Sequence, residues 1–144
     1  MATELPTSTP GRVRPVRLLA ALVLSLAVIT ASNAGLSVIG IAVFSAPDDF
    51  CAFLPRNSVP MTLEWVALAT VGWGLLSHYT ARAKWWFYQG TRVFVVVSWV
   101  AGLFALATWR SVLGVVTLDL MVLIGATVTY LALTKIAPID RVTA

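Results

Sequence analysis

The chain has 144 residues, of which 59% are hydrophobic and 11% charged, with a formal net charge of +4. Soluble domains carry about a quarter of their residues charged, so this composition belongs to an integral membrane protein. About four spans of roughly 20 residues each, with their connections, use up the chain. That excludes a nucleotide-binding fold and any active site carried on a separate globular domain.

The positive charge would suggest nucleic acid in a soluble protein, but membrane proteins collect Lys and Arg on their cytoplasmic side. No nucleic-acid partner is therefore expected. The single cysteine, Cys51, excludes an internal disulfide and a multi-thiolate metal site. The single histidine, His78, leaves no cluster for zinc, haem or copper, and no cofactor is expected.

Residues 1–17 hold Thr3, Thr7, Ser8, Thr9, three prolines and Gly11, the composition of a disordered tail. Arg12, Arg14 and Arg17 close it as a basic collar. Residues 18–44 carry no charge, and span one is placed at about 18–42. The same region admits a secretory signal over 1–34, with Ser32-Asn33-Ala34 as a small-x-small cleavage site, which would leave three spans. Hydrophobicity that continues over 36–44 favours the span.

Residues 46–59, with Pro47, Asp48, Asp49, Pro55 and Asn57, read as a first loop. Phe50, Phe53 and Leu54 would dip it into the membrane interface. Pro60 suits the first turn of a helix, and span two is placed at 61–79. Residues 80–91, with Arg82, Lys84 and the run Trp85-Trp86-Phe87-Tyr88, read as a basic loop with an aromatic anchor. Span three covers 92–108, Trp109-Arg110-Ser111 is a tight turn, and span four covers 112–133. Residues 134–144, with Lys135, Pro138, Asp140 and Arg141, form a polar tail.

With a cytoplasmic N-terminus, Arg12, Arg14, Arg17, Arg82, Lys84, Arg92, Lys135 and Arg141 lie inside, against Arg56 and Arg110 outside. Eight against two satisfies the positive-inside rule. The expected fold is thus all-α: an integral membrane antiparallel four-helix bundle over 18–133, both termini cytoplasmic, multi-pass in the inner (plasma) membrane. Small residues that let helices approach occur in every span, as in Ala31-x-x-x-Gly35, Gly72 with Gly74, Ala101 with Gly102, and Gly114 with Gly125.

Polar residues within spans are costly and so carry the most information. Asp119 lies eight residues beyond Ser111, about 12 Å along a helix, near mid-membrane. It reads either as a proton-accepting or ligand-binding carboxyl, or as packing glue between helices. Glu64 lies about 6 Å in from Pro60 and suits a helix first turn. Asn33 lies about 22 Å along span one. All three fall in the outer half, with Arg110, Ser32, Ser37 and Thr117 at compatible heights, so a polar pocket of Asp119, Glu64 and Asn33 is expected. Arg110 is the natural partner of either carboxylate, and Trp65 and Trp73 are candidate lining residues. His78 reads as an interfacial residue, with pH sensing as the rival role. Phosphate-binding glycine loops, HExxH, CxxC and nucleophile elbows do not occur in the sequence.

The chain resembles small uncharacterised four-span membrane proteins of high-GC bacteria, grouped as a domain of unknown function. Shared features are Ala31-Ser32-Asn33-Ala34 late in span one, a loop with Pro47 and Phe53, a glycine-containing second span ending in basic residues, and Ser98 in span three. The resemblance implies a fold, and no activity. Three better-known four-span groups fail at their functional residues: small multidrug exporters need a glutamate where Asn33 stands, quinone-reducing thiol oxidases need paired cysteines, and glutathione-linked enzymes need more than Glu64 in span two.

Three functions follow as expectations. The first is a non-enzymatic accessory or structural subunit, within a homo-oligomer or a larger membrane complex, whose other partner is the lipid bilayer. The second is a small proton-linked transporter or binding protein for an amphipathic compound, using Asp119. The third is an intramembrane lipid or isoprenoid enzyme using Asp119 and Glu64.

Overall fold

The computed structural model describes residues 13–43 and 54–139. The expected disordered tail before residue 13, residues 44–53, which include Cys51 and most of the expected first loop, and the last residues from Asp140 lie outside the described residues.

The described residues form four helices and no strand: α1 (Pro15–Ala42), α2 (Pro55–Tyr79), α3 (Ala83–Trp109) and α4 (Val112–Ile136). All four are long and apolar enough to cross a membrane.

Three of the helices, α1 to α3, start earlier than the spans read from sequence, whereas α4 starts where it was expected. α1 opens at Pro15, within the stretch expected to be a disordered tail, because proline's fixed φ and missing N–H suit a first helical position. Val13, just before it, packs against the core. α2 opens at Pro55, so residues 55–59 are helix where a loop was expected, and Pro60 lies inside the helix instead of opening it. The Leu54 carbonyl accepts from the N–H groups of Asn57 and Ser58 at 2.9 and 3.0 Å, which starts the helix early. Pro60 then leaves the Arg56 carbonyl without its helical donor.

α3 shows the largest departure. The expected basic loop over 80–91 is helix from Ala83 onward. Ala83 and Phe87, one turn apart, are both buried, and this apolar pair fixes a helical face that the surrounding Arg82, Lys84 and Gln89 disguise.

Between α3 and α4 the turn is Arg110 and Ser111. Arg110 has φ 51° and ψ 23°, the left-handed conformation that commonly ends a helix. Its N–H donates to the Leu106 carbonyl at 2.9 Å. Ser111 then caps α4, its hydroxyl oxygen accepting from the Gly114 N–H at 3.1 Å.

The packed core gathers the beginnings of α1 and α3 and the ends of α2 and α4, here termed the terminal end. Ala21, Trp73, Ala83, Phe87, Leu133 and Ala137 form it, with Leu18, Leu76 and Ile139 against them. Trp73 is the largest side chain in it, 1% exposed. Its ring meets Phe87 edge-on at 5.1 Å between centroids, and Phe87 stacks on Tyr130 at 6.0 Å. The Trp73 indole N–H donates to the Ala137 carbonyl at 2.9 Å, tying α2 to the chain just beyond α4. Outward, each helix exposes large apolar side chains, among them Leu19, Val38, Leu68, Val71, Val96, Phe104, Val116 and Leu131. In water such a surface would be prohibitive; in a bilayer it is ordinary.

Candidate functional site

The polar residues of interest lie away from the terminal end, in two separate places. The first is between the late part of α1 and the early part of α2. There the Ser37 hydroxyl donates to the Asn33 carbonyl at 2.8 Å, and the Thr62 hydroxyl donates to the Ser58 carbonyl at 2.7 Å. Both are bonds from residue i to i−4, the usual way a hydroxyl is satisfied within an apolar helix. The Asn33 side-chain amide N–H then donates to Thr62 Oγ1 at 3.3 Å, joining the two helices.

This network fixes the orientation of the amide. Thr62 has one hydroxyl hydrogen, already given to Ser58, so towards Asn33 it can only accept. Asn33 must present Nδ2 to it, and Oδ1 is directed elsewhere. That oxygen is buried and has no hydrogen-bond partner. An unmet buried acceptor costs about 1–3 kcal/mol. Thr30, Asn33, Ala34, Ser37, Val38, Ile41, Ser58, Val59 and Thr62 line a cavity of about 330 Å³ between the helices.

The second place is between α3 and α4. Asp119 lies against Gly102, so close that a Cβ added at Gly102 would stand 2.8 Å from Asp119 Oδ1 and 3.4 Å from Val115 Cγ1. A side chain at that position would make the carboxyl shift. Asp119 Oδ1 is also buried without a partner. Thr117, two residues earlier, is 2% exposed and donates to the Leu113 carbonyl at 2.8 Å.

The expected single pocket is therefore divided. Asn33 belongs to the α1–α2 pair and Asp119 to the α3–α4 pair. Glu64 is exposed on α2. Arg110 is exposed at the α3–α4 turn and forms no ion pair with Glu64 or Asp119, which corrects the pairing expected from their similar depths. Depth along a helix says nothing of the direction a side chain faces. Trp65 is 44% exposed and its ring lies 4.9 Å from that of Phe94 on α3. Trp73 sits in the terminal-end core, its N–H satisfied, and lines neither place. His78 is exposed with its ring 4.9 Å from Tyr79.

Sequence reasoning missed Ser58, Thr62 and Gly102 as partners. The signal for the first two was their spacing of four, matching that of Asn33 and Ser37, but Ser58 fell in a stretch read as loop. Among the described residues no group of three His, Cys, Asp or Glu could hold a metal ion.

By length and composition, four long apolar helices make this a multi-pass membrane protein. Compared with known proteins, the chain matches no family model, no curated protein and no solved structure.

Proposed function

We propose that the chain is a multi-pass subunit of a bacterial inner membrane, an antiparallel four-helix bundle with both termini cytoplasmic. It acts without catalysis of its own, by packing against a second copy or another membrane protein. The antiparallel arrangement is supported by the contacts of opposite helix ends, late α1 with early α2 and late α3 with early α4. The sidedness is supported by the excess of Lys and Arg at the terminal end and in the flanking segments.

The observation that carries the subunit role is the outward face of α1. Its inward face is Ala21, Ser25 and Ile29, all buried at a spacing of four. Away from that face Ala20, Ala27 and Ala31 are exposed, with Gly35 exposed towards its edge, where a Cβ would meet nothing within 4 Å. Lipid is covered equally well by large side chains, whereas small residues let a second helix backbone come close.

The test is purification in mild detergent together with cross-linking in membranes. A stoichiometric partner or homo-oligomer is expected, weakened by Gly35→Leu or Ala31→Leu and left intact by Asp119→Asn. Recovery of a monomer with no stoichiometric partner overturns the reading.

A second reading, a proton-linked transporter or binding protein using Asp119, is favoured by one observation: a carboxylate oxygen buried against Gly102 with no donor. Such groups within a membrane are functional candidates by default. Asp119→Asn is then expected to abolish pH-dependent binding or transport of an amphipathic compound, and unchanged pH dependence counts against it. The enzymatic pairing of Asp119 with Glu64 gains no support, since Glu64 is exposed on α2 while Asp119 Oδ1 is enclosed beside α3.

A further inference from the structure

We propose that the groove between α1 and α4 on the outward surface of the bundle holds one chain of an anionic phospholipid, with Lys135 receiving the headgroup phosphate. This goes beyond the subunit role, which concerns the small residues of α1 and needs no particular lipid.

The groove is built from two apolar stripes at helical spacing. Leu24 and Val28 stand one turn apart on α1, and Val128, Leu131 and Ala132 face them from α4. Ala132 is 7% exposed and forms the floor, while Leu24, Val28 and Leu131 are 47%, 38% and 48% exposed and form the rims. The small alanine, flanked by larger side chains, leaves a depression of about 340 Å³. It opens sideways, towards the hydrocarbon of a bilayer. An occupant therefore arrives from the membrane and reaches the walls from outside.

The charge sets which lipid it is. Lys135 is the one polar side chain of the groove. It follows Leu131 by one turn and Val128 by two, so its ammonium stands at the terminal end while the apolar walls run inward. A phospholipid has the same order, head at the surface and chain below. The exposed ammonium carries three N–H donors. α1 begins beside it, since Leu18 packs against the core that holds Ala132 and Ala137, and the N-terminus of α1 with Arg14 and Arg17 adds positive potential there. The only acids among the described residues are Glu64 and Asp119. Asp119 lies about 24 Å from Lys135 along α4, and Glu64 lies in the first half of α2, away from the terminal end. A phosphate with no cationic group of its own meets this charge favourably, whereas a choline head brings a second positive charge to it.

The full chain, purified in detergent, is titrated with phosphatidylglycerol and with phosphatidylcholine of identical chains, and bound lipids are counted by native mass spectrometry. The first phosphatidylglycerol should bind saturably and about fivefold or more tighter than phosphatidylcholine. Lys135→Gln should remove most of that preference. Lys84→Gln, which alters an exposed cation at the start of α3 outside the groove, should retain it. Val28→Trp, which fills the groove from its rim, should weaken both lipids by about tenfold and leave any oligomer intact. Lys135→Gln changes an exposed side chain and decides the matter if Val28→Trp does not fold. Equal affinity for the two lipids overturns the proposal, as does lipid binding unchanged in Val28→Trp. Equal loss of preference in Lys135→Gln and Lys84→Gln shows attraction to the whole basic end and overturns it as well. Oligomers that fall apart in Val28→Trp show that a second copy of the chain fills the groove, and the lipid assignment is then wrong.

Discussion

The two ends of the bundle solve the same problem in different ways. At the terminal end all four helices meet, Trp73, Phe87 and Leu133 fill the space, and the buried polar hydrogen, the Trp73 N–H, has its carbonyl. Towards the other end the polar contacts are made in pairs, α1 with α2 through one amide-to-hydroxyl bond and α3 with α4 through a carboxyl lodged on a glycine. There two buried oxygens have no donor. A buried donor that has its acceptor adds to stability, whereas each unmet buried acceptor takes from it. The contrast is graded along α1, where Ser25, one turn from Ala21 of the terminal-end core, is also buried with its hydroxyl unpartnered.

The sharpest way to break this contrast is to empty the terminal end. Trp73→Ala should destabilise the bundle by about 3–5 kcal/mol, read as a fall in the denaturation midpoint in detergent, while Trp73→Phe should lose only about 1 kcal/mol for the missing hydrogen bond. If Trp73→Ala is tolerated, the terminal end is not where stability resides. Next in size, Gly102→Ala should force α3 and α4 apart and lose about 1–3 kcal/mol by overpacking. Combining it with Asp119→Ala should recover part of that loss, because the clash is with the carboxyl, and simple additivity would refute the contact.

Smaller effects sharpen the comparison. Asn33→Leu removes the bond to Thr62 but also the unmet oxygen, so its effect on the midpoint should stay within about 1 kcal/mol in either direction. Smallest of all, Ser25→Ala deletes a fully buried hydroxyl that has no partner. It should be neutral or slightly stabilising, by less than about 1 kcal/mol, and a clear destabilisation would show that Ser25 has a partner after all.

Much of the fold was legible in the sequence because a membrane imposes a coarse rule: long runs without charge become helices. Where helices begin was less so. Pro55 and Pro60 both fit a first turn, and the choice fell to Pro55 because the Leu54 carbonyl captures the N–H groups of Asn57 and Ser58. The opening of α3 was hidden since charge and aromatic residues dominate 80–91, while the decisive residues are the quiet pair Ala83 and Phe87. Asn33 and Asp119 stood out as polar residues in apolar runs. Their partners did not, because pairing depends on how each helix is rotated about its axis, which hydrophobicity on every side leaves undetermined.

The connection between α3 and α4 bears on how the chain is made. With only two residues between them, one held left-handed, α3 and α4 are expected to insert together. Under the proposed topology the two helices enter as a single hairpin, with Arg110 as the charge hauled to the far side at its tip. Lengthening that turn should therefore disturb biogenesis before it disturbs the finished fold.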